Sequence, residues 1–432
     1  MGLTWPASVF QHTLMATDQL LPGGSIGPRM TMSVAARVTG PVDVARLDQA
    51  YDDLVARNDV LRTTMVTLDG GGYLQQVHPH QVVHLEKTDG HGVTPGQLAD
   101  EWSRTPVPSD AAPLIRGHIA QLDDGDHVIG LTLHHLHTDP RSLQLAIAEL
   151  GRLYTARVDG RPEPPPALQF GEYVEQRLTS VADRLDADRD FWRATMAGAR
   201  PMALSPDLQR DWERKPSSGS FRVEVLDAEQ ATALERWARK NRTTMFGALF
   251  TGFSLAMADR LANRDVLVST VFEQRDRPGT ADMIGPFIHP ALLRVQVPDG
   301  ASWESLAPLV RDSVLNAYNR AHIPAIEVLG MHMDVLQEIA MRPAGLCVFQ
   351  YIPAHVSDKP VPFGAAEALV VPSEEGGPTG DVGLMFRLHR LPTGELMARV
   401  TFDERDLNEP LARELFGEFA DRLAEPLAAA RS

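Results

Sequence analysis

This 432-residue sequence has a single cysteine, no long apolar run and no excess of basic charge. The single cysteine, Cys347, excludes an internal disulfide and a cysteine-rich zinc site, and it fits a reducing compartment. No apolar run is long enough to span a membrane, and the N-terminal segment MGLTWPASVFQH has no basic region followed by an apolar stretch. We therefore expect a cytoplasmic protein with neither a secretory signal nor a membrane partner.

The charge balance argues against a nucleic-acid partner. The chain has 41 Lys and Arg residues against 57 Asp and Glu residues, which gives a net charge of −16 at pH 7. Proteins that bind nucleic acid through phosphate contacts need a basic surface, so we expect no such partner. The length and the hydrophobic fraction of 43% are typical of a globular enzyme with two hydrophobic cores.

The first part of the sequence predicts a sheet covered by helices. Residues 30–38, MTMSVAARV, have the pattern of a strand. Residues 43–59 carry apolar side chains at helical spacing, with Asp43 as the N-cap. Residues 127–135, HVIGLTLHH, predict a further strand, and residues 142–158 predict a helix with one apolar face.

A connection and a second set of elements follow. The proline-rich residues 159–169 cannot continue a helix. Residues 170–201 predict one long helix, and residues 205–220 predict an exposed linker. The later predicted elements are strands at 221–226, 265–272 and 345–353, a hairpin over 384–402 that turns at Pro392-Thr393-Gly394, and helices at 227–241, 245–262 and 411–427. The pattern predicts an α+β fold with two lobes, each a sheet covered by helices.

Three histidines and an aspartate lie within residues 133–140, LHHLHTDP. If the predicted strand runs through His134 and His135, their side chains point to opposite faces of the sheet. His135 ends an apolar row, where partial burial favours the neutral, basic imidazole. Without wider context, Asp139 as an N-cap and Pro140 as the first helical residue describe a plain strand end followed by a helix start.

Two other motif interpretations fit less well. His135-x-His137-x-Asp139 matches the start of the HxHxDH signature of the metallo-β-lactamase family, and these ligand types suit zinc. Pro140 occupies the final histidine position, so we expect no metal. Residues 23–27, GGSIG, fit the GxSxG pattern of a nucleophile elbow, but LLP precedes the pattern and proline follows it, which predicts an irregular glycine loop instead.

Written as HHxxxDP, the motif resembles the HHxxxDG core of the condensation domains of nonribosomal peptide synthetases. Other segments resemble that family in the same order along the chain. RNDVLRTTMV resembles its RHExLRT segment, and FGEYVEQRL with DFWRATMAGA resembles its interlobe helix. MIGPFIHPALLRVQV resembles its MIGFFVNTLPLRV segment, and VFQYIP resembles its late FQVxF strand.

The resemblance implies two chloramphenicol-acetyltransferase-like lobes in a V-shaped arrangement with a tunnel between them. We place the lobes at residues 1–172, with the histidine motif, and 173–432. The family joins a carrier-bound acyl or aminoacyl thioester to a nucleophile, so the partner is an acyl- or peptidyl-carrier protein. No bound cofactor is expected, because the phosphopantetheine arm of the carrier brings the substrate.

The resemblance also assigns roles to residues of the motif. His135 corresponds to the catalytic histidine of the family, and His134 corresponds to the first, mainly structural histidine. Asp139 corresponds to an aspartate that pairs with an arginine. Arg62, in VLRTT, is the candidate for that arginine, with Arg57 as the alternative.

The chain departs from the family pattern at two places. Pro140 stands where the family has glycine, which removes a backbone donor and fixes φ near −65°. His289-Pro290 replaces the Asn-Thr of the family, and both changes suggest an unusual acceptor. The residues expected to contact substrate are Pro140, Ser142, His289 and Gln350.

No carrier or adenylation segment follows the condensation-like unit, so we expect a free-standing enzyme that forms an amide or an ester. Its acceptor is a small molecule or a carrier-bound group. Two alternatives stay open. One is a degenerate condensation fold that recruits a carrier protein or a partner enzyme, and the other is an acyltransferase that uses coenzyme A.

Overall fold

The chain forms two compact units, each built on a six-stranded sheet. A computed structural model describes residues 2–20, 26–28, 30–202, 211, 217–261, 264–341, 346–353, 360–371 and 383–429. The first unit comprises Met1–Asp183, Glu273–His289 and His355–Pro378. The second unit comprises Arg184–Phe272, Pro290–Ala354 and Thr379–Ser432. Three segments that the sequence placed in the second lobe therefore belong to the first unit: 173–183, 273–289 and 355–378.

The elements alternate between strands and helices along much of the chain. In order they are β1 Thr4–Pro6, α1 Val9–Leu20, β2 Thr31–Thr39, α2 Val44–Arg57, β3 Thr63–Thr67, β4 Tyr73–Val77, β5 Glu86–Gly90, α3 Pro95–Ser103, β6 Ile115–Leu122, β7 His127–His134, α4 Pro140–Asp159, α5 Phe170–Val181, α6 Leu185–Met196, β8 Ser218–Leu226, α7 Ala228–Lys240, α8 Met245–Arg260, β9 Asp265–Glu273, β10 Ile288–Gln296, α9 Trp303–Asn319, α10 Ala325–Gly330, α11 Met333–Met341, β11 Cys347–Ile352, β12 Val361–Phe363, β13 Ala366–Val371, β14 Leu384–Arg390, β15 Leu396–Asp403 and α12 Glu409–Ala429. Short 3₁₀ helices occupy Asp59–Arg62, His135–His137 and Ala182–Arg184.

The main sheet of the first unit places β7 among its central strands. Its order is β12-β13-β2-β7-β6-β5, and a separate small sheet has the order β1-β4-β3. Every residue of β7 is buried, because α2 and α4 cover one face and α3 covers the other. Gly130 of β7 gives room to the Trp102 ring of α3, since a Cβ there would lie 2.2 Å from Cε3 of the tryptophan. β7 is therefore a rigid support for the residues that follow it.

The second unit has the sheet order β10-β9-β11-β14-β15-β8. Helix α8 is apolar on nearly all sides and lies in the core with α12 and α9, as its sequence predicts. The predicted hairpin is present, with β14 and β15 antiparallel and Gly394 at φ 106° in the turn. The two helix-covered sheets confirm the predicted α+β fold class, whereas the V-shaped arrangement and the tunnel stay predictions.

One predicted element was wrong. The long helix expected over residues 170–201 is interrupted at Ala182–Arg184, so that α5 and α6 are separate helices. Asp188 lies in the first turn of α6, where the helix dipole favours an acidic side chain, and it accepts a hydrogen bond from Arg184 Nε at 2.8 Å. The predicted linker over 205–220 lies largely outside the described residues.

Candidate active site

The histidine motif forms the junction between β7 and α4. The strand ends at His134, a 3₁₀ turn follows over His135–His137, and α4 begins at Pro140. Asp139 is the N-cap, and its Oδ1 accepts a hydrogen bond from Ser142 N at 2.7 Å. Pro140 suits the first helical position because it needs no backbone donor there. The cap interpretation drawn from the sequence is therefore confirmed.

His134 has both ring nitrogens committed to the backbone. Its Nδ1 accepts a hydrogen bond from Leu136 N, and its Nε2 donates to Gly27 O, each at 3.2 Å. The ring is fully buried, and burial lowers the pKa of His134 to about 4. His134 is therefore neutral at pH 7, and its contacts hold the end of β7 against the Gly27 loop.

His135 lies at the surface end of the same junction and is partly exposed. Its Nδ1 lies 3.1 Å from Thr138 O, which can only accept, so Nδ1 carries the hydrogen. The neutral ring then has its lone pair on Nε2. The Phe10 ring of α1 lies 5.1 Å from the imidazole, centroid to centroid, and restricts its orientation. His135 therefore has the tautomer that a base acting through Nε2 requires.

A third histidine of the motif, His137, is buried in a polar cluster. Its Nδ1 lies 3.4 Å from Gln11 Nε2, and Gln11 Nε2 also donates to Gln75 Oε1. Gln75 in turn donates to Pro6 O at 2.7 Å. Burial lowers the pKa of His137 to about 3, so this ring is neutral as well. The cluster ties the 3₁₀ turn to α1 and to the small sheet.

Asp139 forms a buried ion pair with Arg275. Both carboxylate oxygens lie 3.2 Å from Arg275 Nη2, and Phe287 N donates to Oδ2 at 2.8 Å. The Asp139 side chain is 1% exposed and that of Arg275 is 3% exposed. Arg275 also pairs with Glu273 at 2.7 Å and lies over the Phe287 ring at 3.9 Å. The cap of α4 is thus locked to residues 273–287.

Ser142 completes this ion-pair cluster. Its Oγ donates to Gly285 O at 2.6 Å and accepts from Arg275 Nη2 at 2.7 Å and Gly285 N at 3.0 Å. One hydroxyl has one donor and two acceptor positions, so all three are used. The fully buried hydroxyl holds the 285 loop, which argues against the predicted substrate contact of Ser142, and that contact stays a prediction.

Asp139 pairs with Arg275, so its predicted partners Arg62 and Arg57 are wrong. Arg62 pairs with Asp59 of its own 3₁₀ turn and donates to His78 O at 2.6 Å. Arg57 pairs with Glu149 at 2.9 Å. Arg57 is the last residue of α2 and Arg62 ends the 3₁₀ turn that follows, and a carboxylate close in space pairs with each.

Arg275 was missed because it lies 136 residues from Asp139 in the sequence. One signal could have identified it. Arg275 follows the apolar strand β9 and precedes MIGPFIHP, one of the segments that carry the family resemblance.

The remaining predicted substrate contacts lie at separate places. Pro140 lines a cavity of about 200 Å³ with Met32, Leu143, Gln144, Val370 and their neighbours. His289 is buried near the start of β10. Gln350 lies on β11 of the second unit, where its Oε1 accepts from Arg387 Nε at 3.1 Å. Their contacts with substrate stay predictions.

No metal site is visible in the described part of the chain, since no three His, Cys, Asp or Glu side chains come together there. Of the HxHxD residues, His137 contacts Gln11 and Asp139 contacts Arg275. Gly23, Gly24 and Ser25 of the GxSxG pattern lie outside the described residues. The described helices include none with the length and apolarity needed to cross a bilayer.

Comparison with known proteins gives a family match and a set of relatives. Residues 4–334 match the family model of the condensation domain. Malpinin synthetase of Mortierella alpina is 27% identical over 336 residues, which are 75% of this chain and 4% of that protein. The chain spans between 4% and 30% of the length of the curated relatives it matches.

Solved structures share the fold over nearly the whole chain. SgcC5 from Streptomyces globisporus, in complex with (R)-(−)-1-(2-naphthyl)-1,2-ethanediol and sucrose, has a TM-score of 0.80 at 24% identity, covering 98% of both chains. The X-domain in the complex of X-domain and OxyB from teicoplanin biosynthesis has a TM-score of 0.76 at 21% identity, covering 99% of this chain and 94% of that one.

Proposed function

Because this chain belongs to the condensation-domain family, we propose that it is a stand-alone enzyme that transfers an acyl or aminoacyl group to an amine or alcohol. The donor is the phosphopantetheine thioester of a carrier protein. The product is an amide or an ester in natural-product biosynthesis. The carrier's arm brings the acyl group, so the proposed reaction needs no bound cofactor.

The observation that carries the proposal is the tautomer of His135. The Thr138 carbonyl accepts a hydrogen bond from Nδ1–H of His135, so the lone pair of the neutral ring is on Nε2. His135 is partly exposed, whereas His134 and His137 are fully buried. Of the three histidines in the motif, His135 is therefore the one that a substrate can reach.

The chemistry follows from that ring. The acceptor nitrogen or oxygen attacks the thioester carbonyl carbon while its proton passes to Nε2 of His135. The tetrahedral intermediate then collapses, the carbon–sulfur bond breaks, and the imidazolium returns the proton to the departing thiolate. No covalent bond to the enzyme forms. General-base help of this kind contributes about 10²–10⁴ in rate, and orientation of the two substrates adds to it.

The Asp139–Arg275 pair supports this role by holding the turn that carries His135. Asp139 caps α4 and also binds Phe287 N, so the turn is fixed from both sides. Neither charged group is exposed enough to meet a substrate. Asp139 and Arg275 are therefore positioning residues.

One solved structure with the same fold suggests which acceptors to test first. The SgcC5 structure holds a vicinal diol, 1-(2-naphthyl)-1,2-ethanediol. We extend this to the present chain as a proposal that hydroxyl acceptors belong in the first panel tested, beside amines.

The test is a transfer assay with acyl-loaded carrier proteins and a panel of amines and alcohols. We expect His135→Ala to lower turnover about 10²–10⁴-fold. His84→Ala is the matched control, because His84 is exposed and pairs with Asp48 at the surface. Equal turnover by wild type and His135→Ala would remove His135 from the chemistry.

A second candidate function is recruitment of a partner protein without catalysis. It is favoured by Pro140, which offers no N–H beside the motif, and by the X-domain, which was solved in complex with OxyB. Carrier binding without turnover across the whole acceptor panel would support recruitment, and turnover with any acceptor would refute it. The remaining alternative is an acyltransferase that uses coenzyme A. It is tested by supplying acyl-coenzyme A as the donor in place of the acyl-loaded carrier protein.

A further inference from the structure

Three arginines lie directly opposite one another on neighbouring strands of the second unit. In the strand register Arg387 of β14 pairs with Arg399 of β15, and Arg399 pairs with Arg222 of β8. Residues paired in this way project to the same face of the sheet, with Cβ atoms about 4.5–5.5 Å apart. We call Arg222, Arg387 and Arg399 the arginine row.

The arginine row lies on the face opposite the helices. The preceding or following residue on each strand, such as Phe386, Val400 and Phe221, is buried in the hydrophobic core. Arg222 is exposed on the edge strand β8, whereas Arg399 and Arg387 are partly buried. The row thus runs from the exposed edge of the sheet inward, toward Gln350 on β11.

No acid among the described residues pairs with the arginine row. Within the described ranges none of the three arginines forms an ion pair, and Arg387 has one hydrogen bond, from Nε to Gln350 Oε1 at 3.1 Å. The Nε of Arg399 is buried and has no hydrogen-bond partner. Glu224 is the next residue after Arg222 on the same face of β8, and it lies opposite Met397. It forms no ion pair with the arginine row.

Such an arrangement is electrostatically unfavourable in the unliganded protein. Like charges directly opposite on neighbouring strands destabilise a sheet. Burial lowers the pKa of Arg387, and the charge of Arg399 lowers it further. Burial and the charge of Arg222 act in the same direction on the pKa of Arg399. An anion placed between the guanidinium groups would offset both the repulsion and the desolvation.

We propose that the arginine row is a binding site for a phosphate group. Arginine binds phosphate through paired N–H donors, and a tetrahedral anion with several oxygens can bridge guanidinium groups on strands about 4.8 Å apart. Thr401 and Ser220, paired beside the row on the same face, add two hydroxyl donors. The phosphate belongs to a phosphopantetheine arm, or it is free inorganic phosphate. This site is argued from the second unit alone and does not depend on the proposed reaction.

Binding is tested by calorimetry on the full chain with three probes: 4′-phosphopantetheine, pantetheine and inorganic phosphate. We expect phosphopantetheine to bind, and removal of its phosphate to weaken binding about tenfold or more. Arg399→Gln should weaken phosphopantetheine binding by a similar factor. Arg193→Gln is the matched control, because Arg193 is exposed and pairs with Asp190 in α6. Its affinity should equal that of the wild type.

Each calorimetry result either identifies the bound phosphate or overturns the proposal. Equal affinity for phosphopantetheine and inorganic phosphate identifies free phosphate as the ligand, and tighter binding of phosphopantetheine identifies the arm. Undiminished binding by Arg399→Gln, or no binding of either phosphate probe to the wild type, overturns the proposal. Arg222→Gln, on the exposed edge, repeats the test in case Arg399→Gln fails to fold. His135→Ala should bind phosphopantetheine as the wild type does, so failure of the proposed reaction is distinguishable from failure of this site.

Discussion

Arg275→Gln should be among the most damaging single substitutions in the first unit. The change leaves the Asp139 carboxylate buried, with only the backbone donors Ser142 N and Phe287 N. It also strips Glu273 of its 2.7 Å partner. Removing one member of a buried pair costs about 3–5 kcal/mol, because the remaining charge stays uncompensated. The exposed fractions of 3% and 1% place this pair in that class.

The size of the effect can be measured by thermal unfolding. For a folding unit of 150–250 residues, about 3–5 kcal/mol corresponds to a fall in Tm of about 6–20 °C. Asp139→Asn should cost less, because its amide oxygen can still accept from the cap donor and Arg275 keeps Glu273. Transfer activity should also fall in both variants, because the turn that carries His135 loses part of its support.

Arg157→Gln is the matched control. Arg157 binds Asp53 through two hydrogen bonds of 2.6 Å, but the two side chains are 43% and 32% exposed. Solvent screens such a pair, so the expected loss is at most about 1 kcal/mol. If Arg275→Gln lost no more stability than Arg157→Gln, the reasoning from burial would be refuted.

Two further predictions concern neighbours of the ion pair. The pKa of His134 is lowered from 6.5 to about 4 in the folded chain, so the unfolded chain takes up the proton first as pH falls. His134 should therefore contribute about 1.4 kcal/mol per pH unit to the decline in the free energy of unfolding between pH 6.5 and 4. In His134→Asn the decline, measured by unfolding at a series of pH values, should be shallower by that amount, and an unchanged slope contradicts this assignment. Ser142→Ala removes the hydroxyl shared by Gly285 and Arg275 and should lower the free energy of unfolding by about 1–3 kcal/mol. A KM change at unaltered stability would instead indicate the substrate contact that the buried geometry argues against.

The sequence predicted those parts of the site that depend on neighbouring residues. Asp139 caps a helix three residues away, and Pro140 suits the first helical position, so both follow from local rules. The strand before the motif and the helix after it were predictable from their apolar patterns. The break between α5 and α6 was not, because the helical spacing of residues 170–201 continues through Ala182–Arg184 while the hydrogen bonding does not.

Contacts between distant segments were beyond the reach of sequence patterns. Arg62 and Arg57 were the candidate partners of Asp139 that the family resemblance suggested, yet each has an acceptor nearby. Arg275 reaches Asp139 only because residues 273–289 fold with the first unit. The choice among three arginines therefore depended on the path of the chain.

The sequence by itself determined the family, the α+β class and the strand-to-helix turn that presents His135. Each of these depends on residue order, periodicity or capping over a few positions. Tertiary structure alone decided which arginine neutralises Asp139 and that Arg222, Arg387 and Arg399 share one row. Ion pairs and strand register join residues far apart in the chain, and they are set when the surrounding core and sheet have formed.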